Sequence, residues 1–523
     1  MKKTNLYIII LLLIFNFGCS KDFLDRPSLD SPTLDNFYNT LEQVQGATGV
    51  LYGFPWFDFN DKALHSIGEV LSGNMYTGDP AYAPYMNITI TATDSRLSEA
   101  WNSFFKIVGW ANVLIKAFED KKAVGGDAAI LDLGIAEARF IRGVGYFYIA
   151  RIWGDAPLLT DPSEIAQSGE FQIPKAPQAD VLRFALEDFI FAENNLPDNA
   201  AKGRVTTFSA KGMMAKLYLY QKNYEQAKIK SKEVIDSDKY GLVDDYFSMF
   251  SSSASNNNKE SLFSLQWVIS NEWGSQNSMQ AYIAPSNLLM TGDGWSSVMP
   301  SLDILAAYES GDMRKRWSIM QHGDIYPAWK PTREGNPEFN QFMANGYRYD
   351  VDEPAPIGHR TPTRTSVTKY VVGPGSESEP VLAQKTQIGT HILRYADVLL
   401  IYAEAVLGNN ASTADISALD AFNAVRGRAQ LMDKSVITLE DILHERRMEF
   451  AFEGDYWFDI QRQGLARAKQ IIEAQNRGHY ADNGDLNPLA VTLNLPGGGL
   501  FLPIPLSETV QNPKLNEAPV PYY

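Results

Sequence analysis

The stretch ILRYADVLLIYAEA, residues 392–405, predicts a helix that is apolar almost all round. At 100° per residue its three charged side chains, Arg394, Asp397 and Glu404, fall on one narrow stripe. A helix of this kind belongs inside a stack of other helices. Charges buried there need partners, because an unpaired ion in the interior is costly. The stretch therefore predicts stacked helices with ion pairs between them.

The partners are expected in a second stretch, ERRMEFAFEGDYWFDIQR, at residues 445–462. Glu445, Glu449 and Glu453 recur every fourth residue, so a helix would place three carboxylates on one face, where like charges repel. Arginines must neutralise these carboxylates. They are either the two that follow Glu445 directly or Arg394 from the first stretch. We interpret the two stretches as an ion-paired junction between stacked helices.

The same carboxylates allow a second interpretation, an acid/base pair of the kind that glycosidases use. A general acid needs surroundings that raise its pKa, whereas each of these carboxylates has an arginine close in sequence. Structural ion pairing is therefore favoured, and hydrolysis through Glu445, Glu449 and Glu453 is kept as an alternative.

Composition and net charge limit the classes of molecule that the chain can be expected to bind. The chain has 523 residues, of which 45% are hydrophobic and 12% aromatic, so it can bury a large core. Its formal net charge is −16. A phosphate backbone repels such a chain and no basic stripe offsets the charge, so we expect no nucleic-acid partner. The same charge disfavours broad adhesion to anionic lipid headgroups.

The N-terminus has the pattern of a secretion signal that ends at a cysteine. A short basic start precedes an apolar run at residues 6–17, and Gly18 then precedes Cys19, the only cysteine. The run is too short to span a bilayer but long enough for a signal-peptide core. We predict a lipoprotein signal peptide at residues 1–18, lipid attachment at Cys19 and a lipid-anchored tether at residues 19–33. Plain secretion is the alternative.

Helical periodicity recurs in two blocks of the chain. The predicted helices lie at residues 34–51, 94–118, 128–153, 178–194, 209–220, 224–235, 392–405 and 413–429. One short-looped pair, 209–220 with 224–235, has the small-and-large pattern of a tetratricopeptide hairpin. Successive helix pairs of similar length indicate a helical-repeat layer, so the predicted fold class is mainly α with a tetratricopeptide-like scaffold. Residues 52–92, rich in Gly, Pro, Asn and Asp, are predicted as loop.

Between the two blocks, at residues 241–390, the helical signal mostly fades. This segment contains five of the ten tryptophans and a strand-like piece at residues 261–265. Loops on a rigid scaffold usually carry binding. We therefore predict one domain at residues 34–523, with a helical-repeat scaffold at about 34–240 and 391–475. The large, irregular, loop-rich insert between them would form the ligand-binding face.

Motifs of the common enzyme classes are incomplete. His444-Glu445 begins like a zinc-protease motif, but Met448 occupies the position of the second histidine. Neither a Gly-x-Ser-x-Gly elbow nor a phosphate-binding Gly-x-x-x-x-Gly-Lys motif occurs. The six histidines show no metal-ligand spacing. We predict no catalytic residue, no cofactor and no metal; a cation held by Asp293 is the alternative to a plain turn there.

Several motifs along the chain resemble those of the SusD/RagB family. They are AEARFIR at 136–142, IWGDAPL at 152–158, LRYAD at 393–397, YAEA at 402–405, NAVRGRA at 423–429, the stretch at 445–462, and LPIP at 502–505 followed by NP at 512–513. Jointly these motifs are specific, and they cover essentially the whole mature chain in the family's order. The sequence CSKDFLD at 19–25 also resembles the family's usual start.

The resemblance implies an α-helical fold of tetratricopeptide-like pairs with an irregular binding face. It also implies a surface-exposed lipoprotein of the cell outer membrane, seated as a lid on a TonB-dependent, SusC-like transporter. The implied task is to capture oligosaccharide, or peptide in some relatives, and to deliver it to the barrel. The motifs lie mostly in the scaffold, so the resemblance does not identify the ligand-binding residues of this chain.

Candidate ligand contacts follow from the chemistry of sugars, whose apolar faces and hydroxyls call for flat aromatic platforms beside amides and carboxylates. They are Asn74, Tyr76 and Asp79 in the early loop and Trp273, Tyr282 and Trp295 in the insert. Three other tryptophans lie in helical motifs and are expected in the core: Trp110, Trp153 and Trp457.

The function predicted from the sequence is glycan capture for nutrient uptake, without catalysis. A binding protein for peptides or glycoprotein fragments in the same complex is one alternative. A helical-repeat scaffold without a small ligand is another.

Overall fold

A computed structural model describes residues 37–350 and 360–523, and within them the fold is mainly α, as predicted. The α-helices are α1 Leu41–Gly49, α2 Ala83–Asn87, α3 Ser95–Ala123, α4 Ala128–Ile152, α5 Pro162–Ser168, α6 Gln178–Asn195, α7 Thr207–Tyr220, α8 Tyr224–Ile235, α9 Tyr246–Ser251, α10 Met279–Ile283, α11 Leu302–Ala307, α12 Arg314–Ser318, α13 Pro337–Phe342, α14 Tyr395–Leu407, α15 Ile416–Arg428, α16 Leu439–Glu449, α17 Tyr456–Gln461, α18 Leu465–Glu473 and α19 Leu506–Gln511. The predicted signal peptide, Cys19 and tether lie outside the described residues. Within these residues, no helix has both the length and the apolarity needed to cross a bilayer.

The strands are short and pair in twos. They are β1 Met75–Thr77, β2 Ser261–Leu265, β3 Val298–Pro300, β4 Ile319–Met320, β5 Ile325–Tyr326, β6 Tyr347–Arg348, β7 Ser366–Val367, β8 Thr390–Arg394, β9 His479–Tyr480 and β10 Leu486–Asn487. All five pairs are antiparallel: β1 with β3, β2 with β8, β4 with β7, β5 with β6 and β9 with β10. Because all but one of these strands lie in the insert or beyond it, the helical layer before the insert contains almost no sheet.

The long helices pack side by side in one layer. α3 lies along α4, α4 along α6, α6 along α7, and α7 along α8. After the insert, α14 packs on both α7 and α8, and α15 packs on α14. The chain therefore returns to the layer that it left, which confirms the predicted helical-repeat scaffold.

Side-chain caps determine where several of these helices begin. Asp94 and Asp127 accept hydrogen bonds from backbone N–H groups in the first turns of α3 and α4. Such a cap satisfies an otherwise unpaired donor and contributes about 1 kcal/mol. The predicted starts of α3 and α4 agree with the structure because this signal is local. α1 begins later than predicted, at Leu41, because Thr40 and Gln43 form a capping box there; residues 34–36 of the predicted helix are not described.

The strand β2 joins the two ends of the insert. Ser261 lies opposite Arg394 and Leu265 opposite Thr390 in the β2–β8 pair. The strand predicted at residues 261–265 is confirmed. The helix predicted from residue 392 is wrong at its start, because the main chain there pairs with β2 and α14 begins only at Tyr395. Arg394 is therefore a strand residue and does not share a helical stripe with the charges that follow it.

The loop predicted at residues 52–92 is wrong in its first half. Two 3-10 turns, Val50–Tyr52 and Phe54–Trp56, lead into π-helical turns at Phe59–Ala63 and Ser66–Val70. The apolar side chains of this segment lie in the main hydrophobic core. Their burial stabilises helical turns that the local Gly, Asn and Asp residues do not favour by themselves.

The two charged stretches meet in a buried ion network, as predicted. Arg394 donates hydrogen bonds to Glu449 and Glu453, at 3.0 and 2.7 Å. Arg314, from α12 in the insert, donates to Glu445 at 2.6 Å and to Glu449 at 3.3 Å. The junction therefore joins the scaffold to the insert as well as helix to helix.

The three glutamates of the junction do not share one helix, contrary to the prediction. α16 ends at Glu449, and the chain then turns through Phe452 and Gly454, whose left-handed φ values are 66° and 87°. Gly454 is required at this turn because a Cβ there would lie 2.4 Å from the Leu64 side chain. Glu453 therefore reaches Arg394 from a turn and not from a helix face.

The arginines that follow Glu445 serve other carboxylates. Arg446 donates to Asp397 at 2.7 Å, and Arg447 donates to Asp303 at 2.6 Å. Of the two predicted alternatives, the structure therefore shows pairing by Arg394 and not by the adjacent arginines, which face other sides of the helix.

Arginines hold Glu449 and Glu453 in the ionised form. Burial by itself would raise their pKa values, but Arg428 and Arg394 hold the pKa of Glu449 well below its ordinary value. Arg394 and Lys369 lower the pKa of Glu453 in the same way. A general acid needs the opposite shift, so these two carboxyls lack the property on which the acid/base alternative depends.

Candidate ligand-binding surface

Two of the insert's tryptophans are strongly exposed. The Trp273 side chain is 52% exposed and the Trp295 side chain 49%. Trp267 and Trp329 are buried, and Trp317 is half-buried. Tryptophan is highly buried on average in folded proteins, and an exposed ring is available as a flat platform for a ligand. Trp273 and Trp295 therefore define the candidate surface.

Trp273 lies at the edge of a patch of aromatic rings. Its ring meets Phe57 edge-on, with centroids 5.5 Å apart. Gly274 follows with a φ of 98°, and a Cβ there would approach the half-buried Phe54 ring to 3.3 Å. Phe54 in turn stacks on Trp110, with centroids 5.8 Å apart and planes 6° from parallel. The patch therefore continues from the insert onto helix α3.

Trp295 is held by a tight turn. The backbone N–H groups of Gly294 and Trp295 both donate to the Ala281 carbonyl, at 2.8 Å each. Gly294 has a φ of 89°, and a Cβ there would lie 2.9 Å from the Pro285 carbonyl oxygen. Only glycine fits this close backbone contact, so the Trp295 ring projects from a rigid base.

Asp293 stabilises the same turn. Its carboxylate accepts a hydrogen bond from the Thr291 hydroxyl and another, 2.6 Å long, from the backbone N–H of Gln384. In the part of the chain that the structure describes, no group of three or more His, Cys, Asp and Glu side chains is arranged to hold a metal ion. The contacts of Asp293 are those of the plain turn.

The early part of the chain contacts both tryptophan-bearing segments. β1 pairs with β3, and the Thr77 hydroxyl donates to the Ser297 carbonyl at 2.7 Å, two residues after Trp295. On the other side, the Ser278 hydroxyl donates to the Asp61 carboxylate. Residues 57–77 therefore contact the segments that carry both exposed rings.

Charged side chains gather around Tyr82 in this early segment. Arg96 lies over the Tyr82 ring at 5.4 Å and donates to Glu99 at 2.7 Å. Burial raises the pKa of the Tyr82 hydroxyl, Arg96 opposes that shift, and Asp61 and Asp79 add to it. Charged groups form strong hydrogen bonds and suit the recognition of hydroxyl-rich ligands. Of this group the sequence identifies only Asp79; Arg96 and Glu99 have the spacing of an ordinary helical ion pair, which gives no sign of binding.

Two family models match the chain. Residues 259–523 match the one described as the SusD family, and residues 29–219 match the one described as starch-binding associating with outer membrane. The chain belongs to the SusD family. A SusD-like protein of Bacteroides ovatus is 32% identical to it over 99% of this chain and 98% of that protein.

Solved structures share the fold of this chain. One, a crystal structure with a xylogluco-oligosaccharide, has a TM-score of 0.80 and 31% identity, and the match covers 92% of this chain and 99% of that one. A SusD-like carbohydrate binding protein from Bacteroides fragilis has a TM-score of 0.72 at 23% identity, covering 92% of this chain and 99% of that one. At that lower identity the likeness concerns the fold alone.

Three of the other candidate residues in this SusD-family chain lie below the surface. Asn74 is fully buried and donates to Glu69 at 2.9 Å. Tyr282 is buried with its hydroxyl 2.9 Å from His65 Nδ1. Tyr76 is also buried, and only Asp79 is half-exposed. Of the six candidates, Trp273, Trp295 and Asp79 therefore have exposed or half-exposed side chains, and the other three are buried.

Of the three tryptophans predicted to lie in helices and in the core of this SusD-family chain, two are buried. Trp153 and Trp457 are buried in the core. Trp110 is half-buried, because its stack with Phe54 lies at the edge of the aromatic patch. Sequence periodicity places it correctly on a helix but does not show that the helix edge borders the candidate surface.

Proposed function

We propose that this SusD-family chain is a non-catalytic glycan-binding lipoprotein of the outer-membrane surface. In this proposal it captures an oligosaccharide and delivers it to a TonB-dependent, SusC-like transporter. The observation that supports it most is the pair of exposed rings, Trp273 and Trp295, on turns fixed by the same early segment. Its 31% identical structural relative was solved with a xylogluco-oligosaccharide, which is the class of ligand proposed here.

The chemistry of the surface favours sugar over other small ligands. Pyranose rings have apolar faces that pack flat on aromatic side chains, and the burial of those faces contributes through the hydrophobic effect. Asp79 offers a half-exposed carboxylate acceptor to ligand hydroxyls, whereas Arg96 is buried and already paired with Glu99. With two exposed tryptophans, the surface suits an extended ligand of several sugar units, with each ring held by a separate platform.

The anchor and the partner rest on the N-terminal pattern and on the family. Acylation of Cys19 would hold the mature protein at the membrane without a spanning helix. Metabolic labelling with a palmitate analogue tests this: the wild type takes up label and Cys19→Ala does not. Co-purification from outer membranes tests the transporter, which we expect to remain with the wild-type protein in mild detergent.

Calorimetric titration of the mature protein against matched panels of neutral oligosaccharides and peptides tests the ligand class. We expect binding of at least one oligosaccharide that contains glucose or xylose and no binding of peptides of similar length. Binding of a sugar-free peptide at the Trp273/Trp295 surface would replace glycan with peptide as the cargo. Absence of any ligand from both panels, with both rings exposed, would favour the scaffold alternative.

A further inference from the structure

A polar cavity of about 270 Å³ lies where the helical scaffold meets the start of the insert, and neither exposed tryptophan lines it. It is formed by the loop between α6 and α7, the chain around Tyr240, and the start of β2. None of its lining residues belongs to the segments that hold Trp273 or Trp295. A cavity of this volume is near the lower limit for small-molecule sites, so it fits one sugar unit or one small anion.

The cavity is basic although the protein is acidic. Lys202, Lys239 and Lys259 line it and are exposed, and Asp198 is the only acidic residue of the lining. Among the described residues, none of the three ammonium groups forms an ion pair; Lys239 donates only to the side-chain oxygen of Asn199, at 2.8 Å. The chain has a net charge of −16, so three lysines without carboxylate partners make this cavity locally basic on an acidic protein.

Nearby carboxylates are already engaged elsewhere and do not neutralise these lysines. Glu260, next in sequence to Lys259, accepts hydrogen bonds from Arg394 and Arg428 in the buried network. Arg204 also lines the cavity, but it donates to Glu137 at 2.7 Å and its charge is satisfied there. The positive potential of the cavity therefore comes from the three lysines.

The base of the cavity offers hydrogen-bonding groups in fixed positions. The Ser261 hydroxyl is buried and forms no hydrogen bond with any described residue. The amides of Asn257 and Gln266 bind each other through two hydrogen bonds of 2.7 and 2.9 Å, which fixes the wall beside it. A buried hydroxyl without a partner costs about 1–3 kcal/mol, and an acceptor in the cavity would remove that cost once the Ser261 side chain rotates towards it.

We propose that this cavity binds an oxyanion group, carboxylate, sulfate or phosphate, carried by a sugar. The three lysines supply the charge attraction and Ser261 donates to one anion oxygen. The sugar portion of the ligand rests on the proposed glycan-binding function, whereas the oxyanion portion rests on the cavity alone. The protein thereby gains a second site that selects acidic glycans, separate from the tryptophan surface.

The proposal is tested by titrating the mature protein with sodium sulfate and with sodium phosphate. An oligouronide is then compared with a neutral oligosaccharide of equal length. We expect saturable binding of an inorganic anion and tighter binding of the oligouronide or of a sulfated counterpart. Replacing Lys202, Lys239 and Lys259 together by Gln should weaken anion binding about tenfold. Ser261→Ala should weaken it about threefold with the net charge unchanged. The matched control replaces three exposed lysines outside the cavity by Gln: Lys228, Lys330 and Lys469.

Each outcome decides a separate point. No binding of sulfate, phosphate or oligouronide, or equal weakening by the control variant, overturns the cavity proposal. If inorganic anions bind but acidic and neutral sugars bind with equal affinity, the sugar portion of the proposal is overturned. Trp273→Ala and Trp295→Ala should leave inorganic anion binding unchanged, so a failure of glycan binding at the tryptophans is distinguishable from a failure of the cavity.

Discussion

Arg394 donates two hydrogen bonds to the carboxylate of Glu453, 59 residues away in the chain, at 2.7 Å each. The two residues sit outside regular helices, one at the end of β8 and the other in the turn after α16. The pair therefore ties the strand that closes the insert to the turn that precedes α17. Because both side chains are buried, the connection depends on keeping both charges.

Arg394→Met is expected to lower the free energy of unfolding by about 3–5 kcal/mol, because it leaves buried carboxylates without their main partner. Urea denaturation followed by tryptophan fluorescence measures the change. Arg467→Met is the control, since Arg467 pairs with Glu440 at 2.6 Å on the exposed surface. The control should lose less than about 1 kcal/mol. Equal losses in the two variants would contradict a special role for the buried pair.

Glu69 is expected to make stability fall as pH rises towards 8. Burial raises its pKa from 4.5 to about 7, although Asn74 and the Gly454 N–H oppose the shift. A raised carboxyl pKa favours folding at low pH, and this contribution is lost as pH rises through the folded pKa. Relative to Glu69→Gln, the wild type should lose at most about 3 kcal/mol between pH 5 and pH 8. Urea midpoints at several pH values measure this difference, and parallel curves for the two proteins would refute it.

Trp273→Ala and Trp295→Ala are each expected to weaken oligosaccharide binding about tenfold, because each removes an aromatic platform for a sugar ring. Phe171→Ala is the control, since the Phe171 ring is 70% exposed but lies in another part of the chain. Isothermal titration measures the affinities, and thermal melts show that the variants remain folded. If the oligosaccharide binds both variants with the affinity of the wild type, the ligand lies elsewhere.

Gly294→Ala should disturb the Trp295 turn more than Gly292→Ala does. Both glycines have left-handed φ values, 89° and 88°, so both substitutions cost about 1–2 kcal/mol of backbone strain. Only at Gly294 does the added Cβ also collide with backbone, whereas nothing lies within 4 Å at Gly292. We expect Gly294→Ala alone to reduce glycan affinity, as measured by titration. Equal effects on affinity would show that the close contact with Pro285 does not position the Trp295 ring.

The purified protein is expected to release no reducing ends from polysaccharides, because arginines keep Glu449 and Glu453 ionised. A reducing-sugar assay over long incubation measures this, with a glycosidase as positive control. Glu449→Gln should change stability and leave the assay at background. Activity in the wild type that this variant abolishes while folded would establish the hydrolase alternative.

The helical scaffold follows from local sequence signals, and the candidate surface follows from them only in part. Periodicity and the Asp94 and Asp127 caps are encoded within one or two turns, so α3 and α4 were predictable. Arg394 was assigned to a helix because its pairing partner, β2, lies more than a hundred residues earlier in the chain. Trp273 and Trp295, chosen as candidates from the tryptophan-rich turns, are exposed in the structure, and their contact with a ligand stays a prediction. The burial of Asn74 and Tyr282 depends on long-range packing, which a single sequence does not reveal.

The pairing of β2 with β8 has a consequence for how this protein can change. Because the insert leaves and re-enters the scaffold through two adjacent strands, its loops can be lengthened, shortened or exchanged without moving the helices, provided that Arg314 and Lys369 keep their buried pairs with Glu445 and Glu453. A chimaera that carries the segment of a relative between those strands should keep the helical framework and acquire that relative's cargo preference. Ligand preference would thus vary through one exchangeable segment while the helical layer and its buried ion pairs stay constant.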